Sequence, residues 1–397
     1  MILLAHPFGN ANVRAVLNAL QRAKLLAKFV TTVGWSNESL LGARLPRRGY
    51  DLPRAKIVTR AQRELVRLLA GQVGLNSLVA HERGWASIDA VWQDLDRTAA
   101  RWLREHCAEI TAAYAYEDSA AATFESAREL NCRRIYDLPI AYWETSRRLL
   151  REEAERYPDW EPTLVGTRDS AEKLARKTRE LELADLVICP SNFVLDSVPK
   201  GKTAVVVPFG SPETHAVSQQ RATNTGLRVL FAGAMTQRKG LADLFAAMRL
   251  IESKTVELIV MGSPLMPLEW YRARADFTHE PPRPHADVLR LMQSCDVLVL
   301  PSIVEGRALV QQEAMACGLP VIATKNAGAD DVIRDGETGF LVPIRAPEML
   351  AEKISWCATH RADMSGMGIA AQERASELTW RGYGDKVVSA VRSLIAE

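Results

Sequence analysis

Short runs of β-branched and aliphatic residues alternate, from one end of the chain to the other, with stretches whose apolar positions recur at helical spacing. That alternation predicts βαβ units and parallel sheets. Ile2–Ala5 reads as an opening strand and the His6–Asn10 stretch as a loop. Ala11–Lys28 reads as a helix with Val13, Val16, Leu17, Leu20 and Leu25 on its inner side, followed by a strand at Phe29–Val33. Further strands are predicted at Thr111–Tyr116, Arg134–Leu138, Leu186–Cys189 and Thr203–Val207, each apolar enough to be buried on both faces.

Pro208–Pro212 and the polar stretch up to Gly226 break this rhythm, because Pro and Gly punctuate them and no periodicity crosses. A second alternation then begins: strand Arg228–Ala232, helix Leu241–Leu250, strand Val256–Met261, helix Asp287–Met292, strand Val297–Pro301, helix Ala308–Ala316 and strand Pro320–Thr324. The division expected is an α/β domain over 1–210, a second over 211–377, and a helix over 378–397 that crosses back to the first. There is no internal repeat and no low-complexity tract.

Composition narrows the class. With 47% hydrophobic residues, 25% charged residues and a formal net charge of +2, the 397-residue chain is neither a disordered polymer nor a basic nucleic-acid binder. No uncharged apolar stretch reaches the ~18 residues a membrane span needs, and the start has no basic segment ahead of its short apolar run, so a cytoplasmic protein is expected. Six scattered cysteines, with no Cys-x-x-Cys, suggest reduced core thiols and no zinc site. The small net charge hides an asymmetry: residues 1–110 hold 16 Lys/Arg against 9 Asp/Glu. Eight of those cations fall within Arg44–Arg67. They form either a solvated helix face or a contact with anionic lipid headgroups that would hold the protein at the inner membrane face.

The stretch from Leu298 to Pro320 carries the strongest chemical signal. A buried strand ends at Pro301, a loop carries Glu305 and Gly306, and a helix starts near Ala308. A helix start there offers unpaired N–H donors and a positive dipole end to a phosphate, and Gly306 would permit close approach. Glu305 and Glu313, eight residues apart, would stand ~12 Å apart on a largely helical segment. That exceeds the ~5–9.5 Å of glycoside hydrolase carboxylate pairs, so the two suit the ends of an extended ligand. Otherwise Glu305 caps the helix and Glu313 lies on its solvated face. A second strand, loop and helix start, Leu227 to Leu244, carries Arg238 and Lys239, a fork and a point charge suited to a diphosphate, or else two solvated loop cations. Both elements lie at carboxyl ends of strands, where doubly wound sheets bind ligands.

These residues give the second half a resemblance to the nucleotide-sugar domain of retaining glycosyltransferases of family 4, which have the GT-B fold of two Rossmann-like domains facing a cleft. The match runs through Phe231-x-Gly233 and Arg238-Lys-Gly240, Cys295–Ser302, Glu305–Glu313, Gly318–Thr324 and Gly336–Pro343. The resemblance implies that Arg238 and Lys239 bind the donor diphosphate and that Glu305 contacts the transferred sugar. Backbone N–H groups of Gly306, Arg307, Ala308 and Leu309 would hold the distal phosphate, and Glu313 the ribose hydroxyls. The chain departs from relatives in two places: Ala234 rather than Arg follows Gly233, and Phe277-Thr-His279 replaces Phe-x-Gly.

The first half matches more loosely, through Ile135–Trp143, where Asp137 stands in place of a His that faces the donor sugar. Asp137 would orient an acceptor hydroxyl or stabilise charge on the sugar; alternatively it caps the next helix. Gly9 and Asn10 would face the cleft, and His6 is either a cleft residue or a satisfied core histidine. Asp94-Leu-Asp96 imitates a metal motif but lies in a helical pattern that would turn both carboxylates to solvent. No metal or cofactor is expected, since Arg238, Lys239 and a helix terminus balance a diphosphate. The activity implied is retaining transfer from a nucleoside-diphosphate sugar, UDP- or GDP-linked, to a glycan or lipid-linked acceptor in envelope polysaccharide or glycoconjugate synthesis. The rivals are a non-catalytic nucleotide-sugar binder and an epimerase or phosphorylase of the same fold. No glycine fingerprint supports a dehydrogenase.

Overall fold

The structure is a computed structural model that describes residues 1–37, 48–212, 226–251, 253 and 255–396. Two parallel sheets organise it. The first contains β1 (Ile2–Ala5), β2 (Leu26–Thr31), β5 (Ile57–Thr59), β6 (Ala112–Tyr116), β7 (Arg133–Asp137), β8 (Leu186–Cys189) and β9 (Ala204–Val206), in the spatial order β5-β2-β1-β6-β7-β8-β9. Two short strands, β3 (Trp35–Ser36) and β4 (Gly49–Tyr50), pair beside it. The second sheet contains β10 (Leu227–Ala232), β11 (Val256–Met261), β12 (Thr278–Glu280), β13 (Val297–Leu300), β14 (Val321–Thr324) and β15 (Gly339–Val342), in the order β12-β11-β10-β13-β14-β15. The central strands are buried end to end, as continuous apolar runs covered by helices on both faces must be. This is the GT-B arrangement of α/β domains.

Most of the strands expected from sequence form within a residue or two of their predicted limits. The first helix does not: it ends at Arg22, not Lys28. Lys24 takes a left-handed conformation (φ 57°), and the Leu25 N–H reaches back to the Leu20 carbonyl, a closure that satisfies carbonyls left open at a helix end. β2 therefore starts at Leu26, ahead of the predicted Phe29. The short edge strands β5 and β12 lack a periodic signal and form because β2 and β11 offer them an open edge.

The halves are stitched together at several places. Trp160, from the first half of the sequence, is buried in the core of the second domain against Phe245 and Tyr271. The terminal helix Trp380–Ala396 lies on the first domain's Ala11–Arg22 helix, burying Tyr383, Val387 and Val391. Gly384 permits this packing, since a Cβ there would stand 2.6 Å from the Ala15 carbonyl oxygen. Of the connecting stretch 208–226, the part from 213 to 225 lies outside the described residues. The cysteines are unpaired, but Cys107 is exposed and Cys317 half-buried, so not all six are core thiols.

Candidate functional site

The cations and the carboxylate singled out in the sequence meet. A one-turn 3-10 helix, Gln237–Lys239, follows β10 and ends at Gly240, whose φ of 73° and lack of a side chain let the turn press on the Pro301 carbonyl, 2.0 Å from where a Cβ would lie. The Ile303 N–H then donates to the Arg238 carbonyl (2.9 Å), locking the loop after β13 beside the loop after β10. Arg238 Nη1 lies 2.8 Å from Glu305 Oε1 and 2.9 Å from the Val304 carbonyl, and Lys239 Nζ contacts the same carboxylate oxygen. Burial alone would push the Glu305 carboxyl up; Lys239 and Arg238 outweigh it and hold the pKa below the usual range. Glu305 is thus an ion-paired carboxylate and not a helix cap. The Lys239 stem lies 3.2 Å from where a Cβ on Gly233 would project, so the strand-end glycine makes room for Lys239.

A cleft of about 360 Å³ opens beside this pair, lined by Gly233, Lys239, Ala308, Leu309 and Glu313 together with Arg283 and His285. His285 Nδ1 is 3.8 Å from Glu313 Oε1. Burial raises the Glu313 pKa and His285 opposes the shift. Arg283 and His285 were missed in the sequence: they follow the short strand β12 and reach the cleft only because β12 joins the sheet edge. The Leu309–Ala316 helix presents its first turn to the same cleft.

The residues ahead of the Leu309 helix make further contacts. A Cβ on Gly306 would lie 1.6 Å from the Pro139 carbonyl oxygen, so this glycine admits the first domain's backbone rather than a phosphate. Ser191 Oγ donates to the Gly306 carbonyl at 2.6 Å from the same side. Arg307 is buried; its Nε donates to the Pro190 carbonyl (2.6 Å), and its guanidinium pairs with Asp331. Its side chain ties the domains together. Of the four expected backbone donors, the Ala308 N–H is spent on the Ala327 carbonyl.

In the first domain, Asp137 ends β7 with its carboxylate turned inward, accepting a 3.1 Å hydrogen bond from the Tyr114 hydroxyl. Burial, reinforced by Glu117, lifts its pKa to about 7 against that hydrogen bond. It caps no helix: the next one, Trp143–Arg156, starts from Tyr142. The structure brings the loop after Asp137, not its carboxyl, against the Glu305–Gly306 loop. His6 is fully buried, its Nδ1 2.6 Å from the Phe8 carbonyl oxygen and 3.0 Å from the Phe8 nitrogen, and burial lowers its pKa to about 4; its Nε2 is buried with no hydrogen-bond partner, so it is a core histidine but not a satisfied one. Gly9 packs under the Tyr50 hydroxyl and Arg14 Nε donates to its carbonyl, whereas Asn10 is exposed ahead of the first helix.

Asp94 and Asp96 do not face solvent as their helical pattern predicts. Asp94 takes Arg60 (2.8 Å), and Asp96 accepts the N–H groups of Ala122 and Thr123, capping the Ala121–Glu129 helix. The inner stripe is wider than the apolar residues alone indicate. Among the described residues, His81, Glu82 and Asp169 have ligand-type atoms within 4.8 Å of one another. Lys173 Nζ already lies 3.0 Å from Asp169 Oδ1, and the Ser170 N–H donates to Glu82, so those oxygens are engaged. Within the basic segment, Arg44 and Arg47 lie outside the described residues. Arg48 and Arg67 converge on Glu64, and Arg60 and Arg63 on Asp94, so it is neither a simple solvated face nor an unbroken positive surface.

The sequence profile described as Glycosyl transferases group 1 matches residues 226–360, the segment that holds Arg238, Lys239, Glu305 and Glu313. The second domain is a group 1 glycosyl transferase domain. Among similar proteins of this group, the D-inositol 3-phosphate glycosyltransferase of Corynebacterium diphtheriae is 28% identical over 254 residues, covering 56% of this chain and 60% of that protein. An uncharacterized glycosyltransferase of Methanocaldococcus jannaschii is 27% identical over 218 residues, covering 54% and 60%. The match thus spans about three-fifths of these relatives' length. The fold is similar over its whole extent to sucrose-phosphate synthase from Thermosynechococcus elongatus (TM-score 0.67, 20% identity, 100% of this chain and 99% of that one). It is also similar to Anabaena HepE in complex with UDP-glucose (TM-score 0.60, 16% identity, 99% of both chains). No helix among the described residues is long and apolar enough to cross a membrane.

Proposed function

We propose that the protein is a retaining glycosyltransferase that moves a sugar from a nucleoside-diphosphate sugar, UDP- or GDP-linked, to a hydroxyl of a glycan or lipid-linked acceptor, at the cytoplasmic side of the membrane. The observation that carries this reading is the convergence of Arg238 and Lys239 on Glu305 beside a cleft that Lys239 lines together with Glu313 and His285. The cations neutralise the donor diphosphate, and the first turn of the Leu309 helix takes the distal phosphate. Glu313 accepts from the ribose hydroxyls, and Arg283 and His285 flank the base. When a donor enters, the phosphates compete with Glu305 for Lys239 and Arg238, freeing that carboxylate to hold the sugar hydroxyls.

In this reaction the leaving phosphate takes the acceptor's proton, so the chain supplies charge and exclusion of water rather than a strong base. The cationic pair and the helix terminus provide the charge without a metal. The contact of Gly306 with the Pro139 loop, sealed by Ser191 and Arg307, supports a closed state that keeps water from the sugar. The D-inositol 3-phosphate glycosyltransferase match and the UDP-glucose complex of HepE favour transfer over epimerase or phosphorylase chemistry.

The test is a melting-temperature panel of UDP-, GDP-, ADP- and dTDP-sugars, followed by measurement of nucleoside diphosphate release with acceptor present. Stabilisation by one donor and acceptor-dependent release support the reading. A donor that binds without turnover across acceptors makes the protein a nucleotide-sugar binder, and no shift with any donor overturns the site.

A further inference from the structure

Two loops supply the charged groups of the candidate donor site: the one after β10 carries Arg238 and Lys239, and the one after β13 carries Glu305. Both rest on one piece of chain from the first half of the sequence, residues 149–164, made of the end of the Trp143–Arg156 helix and the 3-10 turns of Pro158–Thr163. Leu149, Leu150 and Leu164 share a buried cluster with Ile303 and Val304, the two residues ahead of Glu305. Thr163 holds the other loop. Its carbonyl accepts from the Thr236 hydroxyl (2.7 Å), and its own hydroxyl donates to the Trp160 carbonyl (2.7 Å) and accepts from the Gln237 N–H (3.2 Å).

Gln237, which directly precedes Arg238, is fully buried. Its amide nitrogen donates to Glu153 Oε2 (2.6 Å) and to Asp243 Oδ2 (2.8 Å), and its amide oxygen accepts from the Ala242 N–H (2.8 Å). A carboxamide fits this place and its isosteres do not. Both of its hydrogens are placed on carboxylates, where a Glu would meet two like charges and a Leu would leave two buried acceptors without their donor. Glu153 and Asp243 are themselves buried, and each faces a guanidinium on its far side: Arg345 contacts Glu153 Oε1, and Arg156 Nη1 lies 2.7 Å from Asp243 Oδ1. Hydrogen bonds to charged groups in a low-dielectric interior are the strong ones, so the backbone of the turn that carries the two cations is held from behind.

We infer that Glu153, Thr163 and Gln237 are positioning residues for the donor diphosphate. None of the three lines the cleft, and all act through Arg238 and Lys239, fixing where those cations stand relative to Glu305. A shift of about 1 Å in such groups is enough to cost a site most of its function, which is why the support of a charged turn matters as much as the charges it carries. The inference rests on the donor reading above and adds that residues from the first half of the chain set the affinity of the second domain for its ligand.

The test is calorimetry of UDP and GDP with the full chain and its variants. Thr163→Val keeps the shape and removes the hydroxyl, so the Kd should rise about three- to ten-fold, the scale of one hydrogen bond, and Thr163→Ser should restore the parent value. Gln237→Leu should raise it about ten-fold or more. A purely structural role would lower the melting temperature and the fraction of protein competent to bind, leaving the Kd of that fraction unchanged; a positioning role raises the Kd at full stoichiometry. Because the effect runs through the cations, Thr163→Val in a Lys239→Ala background should add about two-fold or less. Where the parent binds, an unchanged Kd in Thr163→Val, or an effect of equal size in the Lys239→Ala background, overturns the inference and leaves the donor reading standing. A parent that binds neither nucleotide overturns the donor reading and the inference with it.

Discussion

Ser191 and Gly306, one from each domain, are joined by a 2.6 Å hydrogen bond from the Ser191 hydroxyl to the Gly306 carbonyl, at the point where the Pro139 carbonyl leaves no space for a Cβ. This contact places the first domain directly against the loop that carries Glu305. Gly306→Ala should force the two loops apart at a cost of about 1–3 kcal/mol of strain, relieved by domain opening. A larger radius of gyration in solution scattering and reduced transfer are expected, with donor binding to the second domain retained. A variant with unchanged scattering and activity would show that the loops yield without consequence.

Lys239 and Glu305 should separate in their effects. Lys239→Ala removes a charge-assisted contact to the diphosphate and should raise the Kd for nucleoside diphosphate about ten- to hundred-fold. Glu305→Gln removes the carboxylate that competes for the same cation. Nucleoside diphosphate affinity should therefore hold or improve, while transfer falls by about 100-fold, the scale of losing one preorganised charged group. Calorimetry on both variants checks the split, and weaker diphosphate binding in Glu305→Gln would contradict it.

Asp137 gives a pH-dependent stability. Its folded pKa, raised by burial to about 7, exceeds the usual carboxylate value, so its contribution is fully present below about pH 4 and is lost as pH rises through 7. At 1.36 kcal/mol per unit, the upper bound on that loss is about 4 kcal/mol. Asp137→Asn stays neutral and keeps the Tyr114 contact. It should therefore match the parent near pH 4 and exceed it near pH 8, as urea midpoints would show. Parallel profiles would mean that the carboxyl titrates normally.

The terminal helix should be a structural part of the first domain. Gly384→Ala places a methyl 2.6 Å from the Ala15 carbonyl and 2.8 Å from the Ala19 methyl, and should cost about 1–3 kcal/mol. Hydrogen exchange should rise in both the terminal helix and Ala11–Arg22, and an effect confined to the terminal helix would count against their coupling.

Much of this protein was legible in its residues. Buried parallel strands need continuous apolar runs, so the core of each sheet could be read directly, and the helix Leu241–Leu250 falls where its periodicity puts it. The placement of Lys239, Glu305 and Glu313 at strand-end loops and a helix start could be read as well, because those are local patterns. The early stop at Lys24 was not, since a left-handed turn depends on a backbone closure rather than on composition.

Tertiary structure alone decided what several of those residues do. Gly306 serves the Pro139 backbone, Arg307 reaches Pro190 and Asp331, and Trp160 enters the other domain's core. His285 reaches Glu313 only through an edge strand of three residues. The Gln62–Gln72 helix has a periodicity that names one apolar face but cannot say which way it points. Sequence fixes the spacing of side chains along an element; the direction in which the element is turned depends on which partners, here the arginines gathered on Glu64, claim its other side.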